Sequence, residues 1–330
     1  MKRIVLFLLL VIFCQIGHSQ TVRGTILDNS DHTKINFASI YINGTSVGTN
    51  SDQNGYFELD ITKYGSLPLT ISALGYYSVT LTDFSREKPI EVYLIPKMFE
   101  LNEVVVAAKS TAKERKSNLK LFRDQFLGSS YNGQNCVIMN EADITFRNGT
   151  SRDTLNAFAS KPILIVNNAL GYKITYYLDK FEYYRKSKSF LYKGSAIFNE
   201  DLAGEMLQRK YFEKRRKIAY LGSRSHFFSS LWTNSLKSNG FTIKNSIDEI
   251  INYEDIVIVR SGFKKYLSYK GNLSIYYLSN SPNSLIELLK TKDPVFFDSS
   301  GYFDGSGVKV IGQMAEKRIG DLLPYDYKLK

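Results

Sequence analysis

His226 is the residue best placed for catalysis in this chain. Ser223 and Ser225 stand beside it, near the start of a segment whose apolar residues recur at helical spacing. A nucleophilic pair needs a hydroxyl or thiol that an imidazole can deprotonate, and a carboxylate to orient that imidazole. Cys136 is distant in sequence, and no nucleophile elbow is read. A hydrolase with an active site around His226 is therefore the alternative reading, and a structural histidine the first. Peptidase activity of the zinc-carboxypeptidase type is excluded by spacing. It needs a His-x-x-Glu pair to set two ligands one helical turn apart, but Ile35 is third after His32 and Ser229 third after His226. Asp52-Gln53-Asn54-Gly55 offers oxygens of the kind that hold calcium. Tyr56-Phe57 then opens a strand where more acidic ligands would be needed, so the segment reads as a β-turn. Glu249 and Glu254-Asp255 are spaced like a loop rim, and nothing in the spacing brings them together as a glycosidase pair. Neither a metal nor a cofactor is expected.

The charge pattern is more informative. Lys+Arg 43 against Asp+Glu 32 gives +11. Met1-Lys2-Arg3, the apolar run Ile4 to Phe13 and the small residues of Gly17-His18-Ser19 read as a secretory leader cut before Gln20. Its apolar run falls short of the roughly 20 residues needed to span a bilayer, and no transmembrane span is expected after cleavage. Loss of Lys2 and Arg3 leaves +9, and loss of Cys14 leaves Cys136 as the one cysteine, in an apolar strand-like run where burial is expected. The remaining charge divides sharply: residues 20–108 carry 6 bases and 10 acids, a balance of −4, and residues 109–330 carry 35 and 22, a balance of +13. Inside a cell such a basic domain would point to nucleic acid. An exported chain rarely meets it, so no nucleic acid partner is expected. Acidic envelope components, such as an envelope protein or an anionic glycan or lipid, fit better. Arg209, Lys210, Lys214, Arg215 and Arg216 are the expected contacts, on a strongly basic segment from Glu205 to Tyr220.

Short strands and turns fill Thr21 to Pro96, with strands expected at Thr21–Leu27, Ala38–Ile42, Ser46–Thr49, Tyr56–Ile61, Leu69–Ala73, Tyr77–Leu81 and Ile90–Ile95. Seven strands at this spacing predict a β-sandwich. Leu119, Phe122 and Phe126 at i, i+3 and i+7 predict a basic amphipathic helix that opens the second domain. Six strands follow from Cys136 to Phe198 as one antiparallel run. A helical pair comes next, broken at Gly222-Ser223, with Phe228, Trp232 and Leu236 four apart on the second helix. Strands resume at Phe241–Lys244, Ile256–Arg260, Lys265–Tyr269, Ser274–Leu278, Leu285–Leu289 and Val308–Ile311. Tyr176-Tyr177 and Tyr183-Tyr184 lie on strands, where neighbours face opposite sides, so at most one of each pair could join a sugar-stacking platform.

Val22-Arg23-Gly24-Thr25-Ile26, Asp52-x-x-Gly55-x-Phe57, Ala73-Leu74-Gly75-Tyr76, Val92-Tyr93-Leu94 and Leu101-Asn102-Glu103-Val104-Val105-Val106 occur in one order. That ordered set resembles the carboxypeptidase-regulatory-like domain, a transthyretin-like sandwich. The resemblance implies a non-catalytic module of exported Gram-negative envelope proteins, including TonB-dependent receptors. The roughly 220 residues that follow are too few for a receptor barrel of over twenty strands of about 10 residues each plus a plug. Phe126-Leu127-Gly128, Leu170-Gly171-Tyr172, Tyr220-Leu221-Gly222-Ser223 and Leu323-Pro324-Tyr325-Asp326-Tyr327 resemble a second domain found after this sandwich in exported proteins of unknown function.

The expected chain is mostly β. Residues 1–19 are a leader, 20–97 a transthyretin-like seven-stranded sandwich, 98–125 a linker with the basic helix, and 126–330 an α+β domain rich in antiparallel sheet. The expected role is non-enzymatic: an exported binding or accessory protein of the periplasm or outer membrane, associated with uptake or surface glycan handling. A structural adhesin would show internal repeats, and none is seen.

Overall fold

The computed structural model describes residues 20–64, 67–85, 87–96, 111–149, 153–200, 206–260, 264–289 and 294–329. The expected leader and the Leu101–Val106 segment lie outside these. The chain divides into two compact units, residues 1–42 with 47–97, and residues 43–46 with 98–330.

The first unit is a β-sandwich. One sheet has the order β4-β1-β7, from β1 (Thr21–Asp28), β4 (Tyr56–Asp60) and β7 (Ile90–Leu94). The other has the order β3-β2-β5-β6, from β2 (Ser39–Ile42), β3 (Gly48–Asn50), β5 (Leu69–Ser72) and β6 (Val79–Leu81). Alternation sets the inner face: Val22 and Ile26 of β1, Phe57 and Leu59 of β4, and Val92 and Leu94 of β7 are buried. Pairing is antiparallel except between β1 and β7. There Gly24 is required, because a Cβ at that position would stand 2.2 Å from the Ile90 carbonyl oxygen. The Asp52 carboxylate accepts from the backbone N–H of Asn54 (2.8 Å) and Tyr56 (2.9 Å), and Gly55 takes a φ of +70°. This is the expected turn, closed by its own backbone.

The second unit is built on two cores. The first lies under a six-stranded sheet of β8 (Cys136–Ile138), β9 (Ile144–Asn148), β10 (Thr154–Ala159), β11 (Ile163–Asn167), β12 (Tyr172–Tyr184) and β13 (Ser189–Glu200). The order is not sequential. β12 takes β13 along one edge, while β11 pairs with its first half and β10 with its last three residues. The register shifts between Leu178 and Lys180. Inward residues run Tyr172, Ile174, Tyr176, Leu178 before the shift and Phe181 after it. One extra residue thus reverses the parity and keeps both halves facing one core. Tyr176 and Tyr183 belong to that core while Tyr184 is exposed, so the tyrosine pairs split as expected.

Helix α1 (Ala112–Phe126) covers this sheet. Thr111 caps it by accepting from the Glu114 N–H. Its Phe122 ring meets Phe126 at 4.8 Å and Phe181 at 4.8 Å, and Phe126 meets Tyr176 at 5.0 Å. Leu119 stays half-buried and Asn118 is buried beside them. The short helix α2 (Tyr131–Gln134) leads into β8.

Helices α3 (Met206–Tyr220) and α4 (Arg224–Trp232) follow. The second core gathers α4 with two sheets. One is β14-β17-β18-β20, from β14 (Phe241–Lys244), β17 (Asn272–Tyr277), β18 (Ser284–Leu288) and β20 (Val308–Gly312). The other is β15-β16-β19, from β15 (Val257–Arg260), β16 (Lys264–Leu267) and β19 (Val295–Phe297). Three details differ from the sequence expectation. Helix α4 ends at Trp232, and Leu236 reaches the core from the following turn. The strand expected from Ile256 starts at Val257, because Tyr253–Ile256 form a helical turn with an Asn252–Asp255 capping box. β19 was not expected, since three residues are too few to display a period.

Phe126→Ala removes a ring that touches α1, β12 and β13 at once. The expected loss is about 3–5 kcal/mol, read as a lowered urea midpoint of the second unit, with the sandwich transition unmoved.

The basic helix and its surroundings

Helix α3 carries one acid, Glu213, among six cations. Its faces differ completely. Phe212, Arg216 and Ala219 are buried, while Lys210, Lys214 and Lys217 are exposed. The buried cation is held on every side. Arg216 Nε donates to the Leu170 carbonyl (2.8 Å), Nη2 donates to that of Gly171 (3.3 Å), and Nη1 pairs with Glu200 and Glu213. Its guanidinium carbon lies 4.1 Å from the centre of the Tyr172 ring. At 2% exposure Arg216 cannot meet an external anion, which corrects its place among the expected contacts. The cause is helical geometry: Arg216 lies four residues from Phe212 and shares its inward face.

Arg215 is intermediate. Its Nε and Nη2 donate to Asn132 Oδ1 at 3.0 and 2.6 Å, and it stacks on Tyr131 at 4.4 Å. Asn132 Nδ2 in turn donates to Asp321 at 2.7 Å. Arg209 is exposed and lines a groove with Glu200, Glu213 and Arg216. The five expected residues therefore do not form one surface. Lys210 and Lys214 share the outward face, and Lys217, not among the expected contacts, joins them at i, i+4 and i+7. That spacing was visible in the sequence and separates these lysines from the inward Arg216.

The end of α3 is closed by another cation. Lys317 Nζ donates to the carbonyls of Ala219 (2.7 Å), Leu221 (2.7 Å) and Ile218 (3.4 Å). A cation on the last carbonyls satisfies groups a helix leaves open and complements its dipole. Burial pulls this ammonium down to about 8, with Asp321 opposing. Gly222, at φ +68°, ends the helix, and Ser223 caps α4 by accepting from the His226 N–H.

His226 sits at this junction, 5% exposed. Its ring lies 5.0 Å from Tyr220, 4.9 Å from Phe241 and 5.7 Å from Tyr277, and Nδ1 accepts from the Gly222 N–H at 3.1 Å. Burial, with Lys317 acting in the same direction, pulls its pKa down to about 4. Ser223 Oγ accepts from the backbone as the cap, and no hydrogen bond joins it to the imidazole, whose Nδ1 is taken by Gly222. Cys136 is on the other core, where Sγ donates to the Asn132 carbonyl and burial pushes the thiol up to about 12. Asp255 is a helix cap, and Asn245 donates to Glu249, so these acids serve local turns. One Gly-x-Ser-x-Gly string is present after all, Gly44-Thr45-Ser46-Val47-Gly48, but it joins β2 to β3, two strands. A nucleophile elbow needs a strand-to-helix turn. Among the described residues no cluster of His, Cys, Asp or Glu could hold a metal, and no helix is long and apolar enough to cross a membrane.

The sandwich and its turns now bear on kinship. Residues 22–106 match the CarboxypepD_reg-like domain family. This agrees with the resemblance carried by the ordered motifs, and the matched domain is a regulatory, non-catalytic module. It covers less than half of the chain. No curated protein matches. A solved structure with some likeness is a 9R-lipoxygenase from Cyanothece PCC8801, at 12% identity and a TM-score of 0.21, over 68% of this chain and 49% of that one. So low a score constrains neither fold nor activity.

Two outcomes test this geometry. Arg216→Met should cost on the order of 3 kcal/mol, since it strands buried carbonyls and a carboxylate, whereas Lys214→Met should leave the urea midpoint nearly unchanged. His226 has a folded pKa below its ordinary value of about 6.5. Between those values the unfolded chain takes up the proton more readily, so its contribution to stability is full above pH 6.5 and is lost as pH falls toward 4. The urea midpoint should drop between about pH 7 and pH 5, and drop less in His226→Gln.

Proposed function

We propose that this is an exported, non-enzymatic binding or accessory protein of the cell envelope, and that it holds an anionic partner on the outward face of α3. The observation that carries the reading is the exposed row Lys210, Lys214 and Lys217. The helix's one acid, Glu213, pairs with Arg216, and none of the three lysines has an ion pair among the described residues. A solvated row of like charges without acids favours an anionic surface over self-pairing. The +13 balance of residues 109–330 adds to the field there.

The leader read in residues 1–19 and the match of residues 22–106 support an envelope location, in the periplasm or at the outer membrane. We take the second unit as the kind of domain that follows this sandwich in exported proteins. The residues that carried that resemblance meet around α3: Gly171 accepts from Arg216, Gly222 donates to His226, and Leu323 and Pro324 line a cleft with Tyr220. In this reading His226, Ser223 and Lys317 complete the turn between two helices, and the chemistry of the protein is recognition.

Fractionation of cells followed by crosslinking and mass spectrometry tests the proposal. The wild-type protein should be recovered with the envelope and crosslinked to a component there, and replacing Lys210, Lys214 and Lys217 by Glu should release it. Recovery of wild type as a soluble, partnerless monomer would sink the accessory role, and unchanged retention of the variant would reject the basic face.

A further inference from the structure

We infer that the outward face of α3 docks on an anionic lipid surface, which deepens and rests on the anionic-partner reading above. The lysines do not stand alone on that face. Leu207, Tyr211 and Ile218 are 76%, 40% and 51% exposed. With Lys214 they follow at i, i+4, i+7 and i+11, so they form one stripe down the helix. Lys210 and Lys217 run along one side of it. Tyr131 extends the patch sideways: it is 54% exposed, accepts from the Tyr211 hydroxyl at 3.0 Å and lies under Arg215.

A glycan would not be matched by exposed Leu and Ile, and a purely electrostatic partner would leave them in water. A lipid interface uses both kinds of residue. Leu and Ile enter the headgroup–acyl boundary, Tyr keeps its hydroxyl at the polar edge, and lysines snorkel to the phosphates. The division of cations fits the same occupant. Arg215 and Arg216 rest their guanidinium groups on protein oxygens, while the charges on and beside this stripe are Lys210, Lys214 and Lys217, a residue type that protein–protein interfaces disfavour. The surface is also convex, a single helix of about 22 Å. A planar bilayer accepts such a ridge without a complementary groove. The helix is fixed in advance by Arg216 and by the Lys317 cap, so docking requires no folding step.

The test uses the full chain from Gln20 and two sets of vesicles, one of phosphatidylcholine and one of phosphatidylcholine with 30% phosphatidylglycerol as the anionic lipid. Sedimentation should show binding to the second set alone, falling as salt rises. Lys210→Gln with Lys214→Gln and Lys217→Gln should weaken it about a hundredfold, at about fivefold for each charge near the surface. Leu207→Asn with Ile218→Asn should weaken it at least tenfold while keeping the dependence on salt. All five positions are exposed, and circular dichroism should show both variants folded. Equal binding to both vesicle sets, or no binding to either, would overturn the lipid assignment. If vesicles are ignored but the lysine-to-glutamate variant still leaves the envelope fraction, the partner is an acidic protein or glycan, and only the lipid assignment falls. If that variant also stays with the envelope, both readings fall.

Discussion

A buried guanidinium fixes the orientation of the basic helix. Removing an arginine from water is costly unless its donors are met. Arg216 meets this demand with two carbonyls from the β11–β12 turn, a carboxylate at the end of β13 and another on its own helix. Turning α3 by one residue, about 100°, would break all of the contacts beyond the helix. The direction in which Lys210, Lys214 and Lys217 point is therefore a consequence of where Arg216 is held. One cation is spent on structure so that three others can face outward in a defined row.

The same region joins the two cores of the second unit. Met314 packs in the core around α4, and Ile319 in the core under the six-stranded sheet. Between them Lys317 closes the end of α3, and Arg318 donates to the Gln125 carbonyl at the end of α1 and stacks on Phe190 at 3.6 Å. Asn167 Nδ2 then donates to the Gly320 carbonyl. A stretch with little regular structure thus does the joining, through charged side chains on helix ends and amides on backbone.

Strand positions in both units were legible because alternation over five or more residues shows in the sequence. β1, β4 and β12 are clear cases. The partners of β12 were not legible. Three strands compete for its two edges, and the bulge at Asp179 in its pairing with β13 has no local signature. Helix α3 was legible as an element but misjudged as a surface. Counting its cations gave one basic face, while their spacing separates Lys210, Lys214 and Lys217 from Arg216. The Lys317 cap joins residues about a hundred positions apart, and no single-sequence pattern reports such a pairing. Leu207 and Ile218 were passed over because isolated apolar residues on a basic helix ordinarily point inward.

The stretch from Met314 to Leu323 also bears on the order of assembly. Chains emerge from the ribosome N-terminus first, and domains fold as their residues become available. The sandwich can close once its seventh strand is out. The second unit must wait, because residues of this late stretch fill places in both of its cores. Until they emerge, the end of α3 lacks its cap and the aromatic floor under α1 lacks Ile319. The unit therefore stays unfinished through most of its own synthesis, while the sandwich ahead of it is already complete.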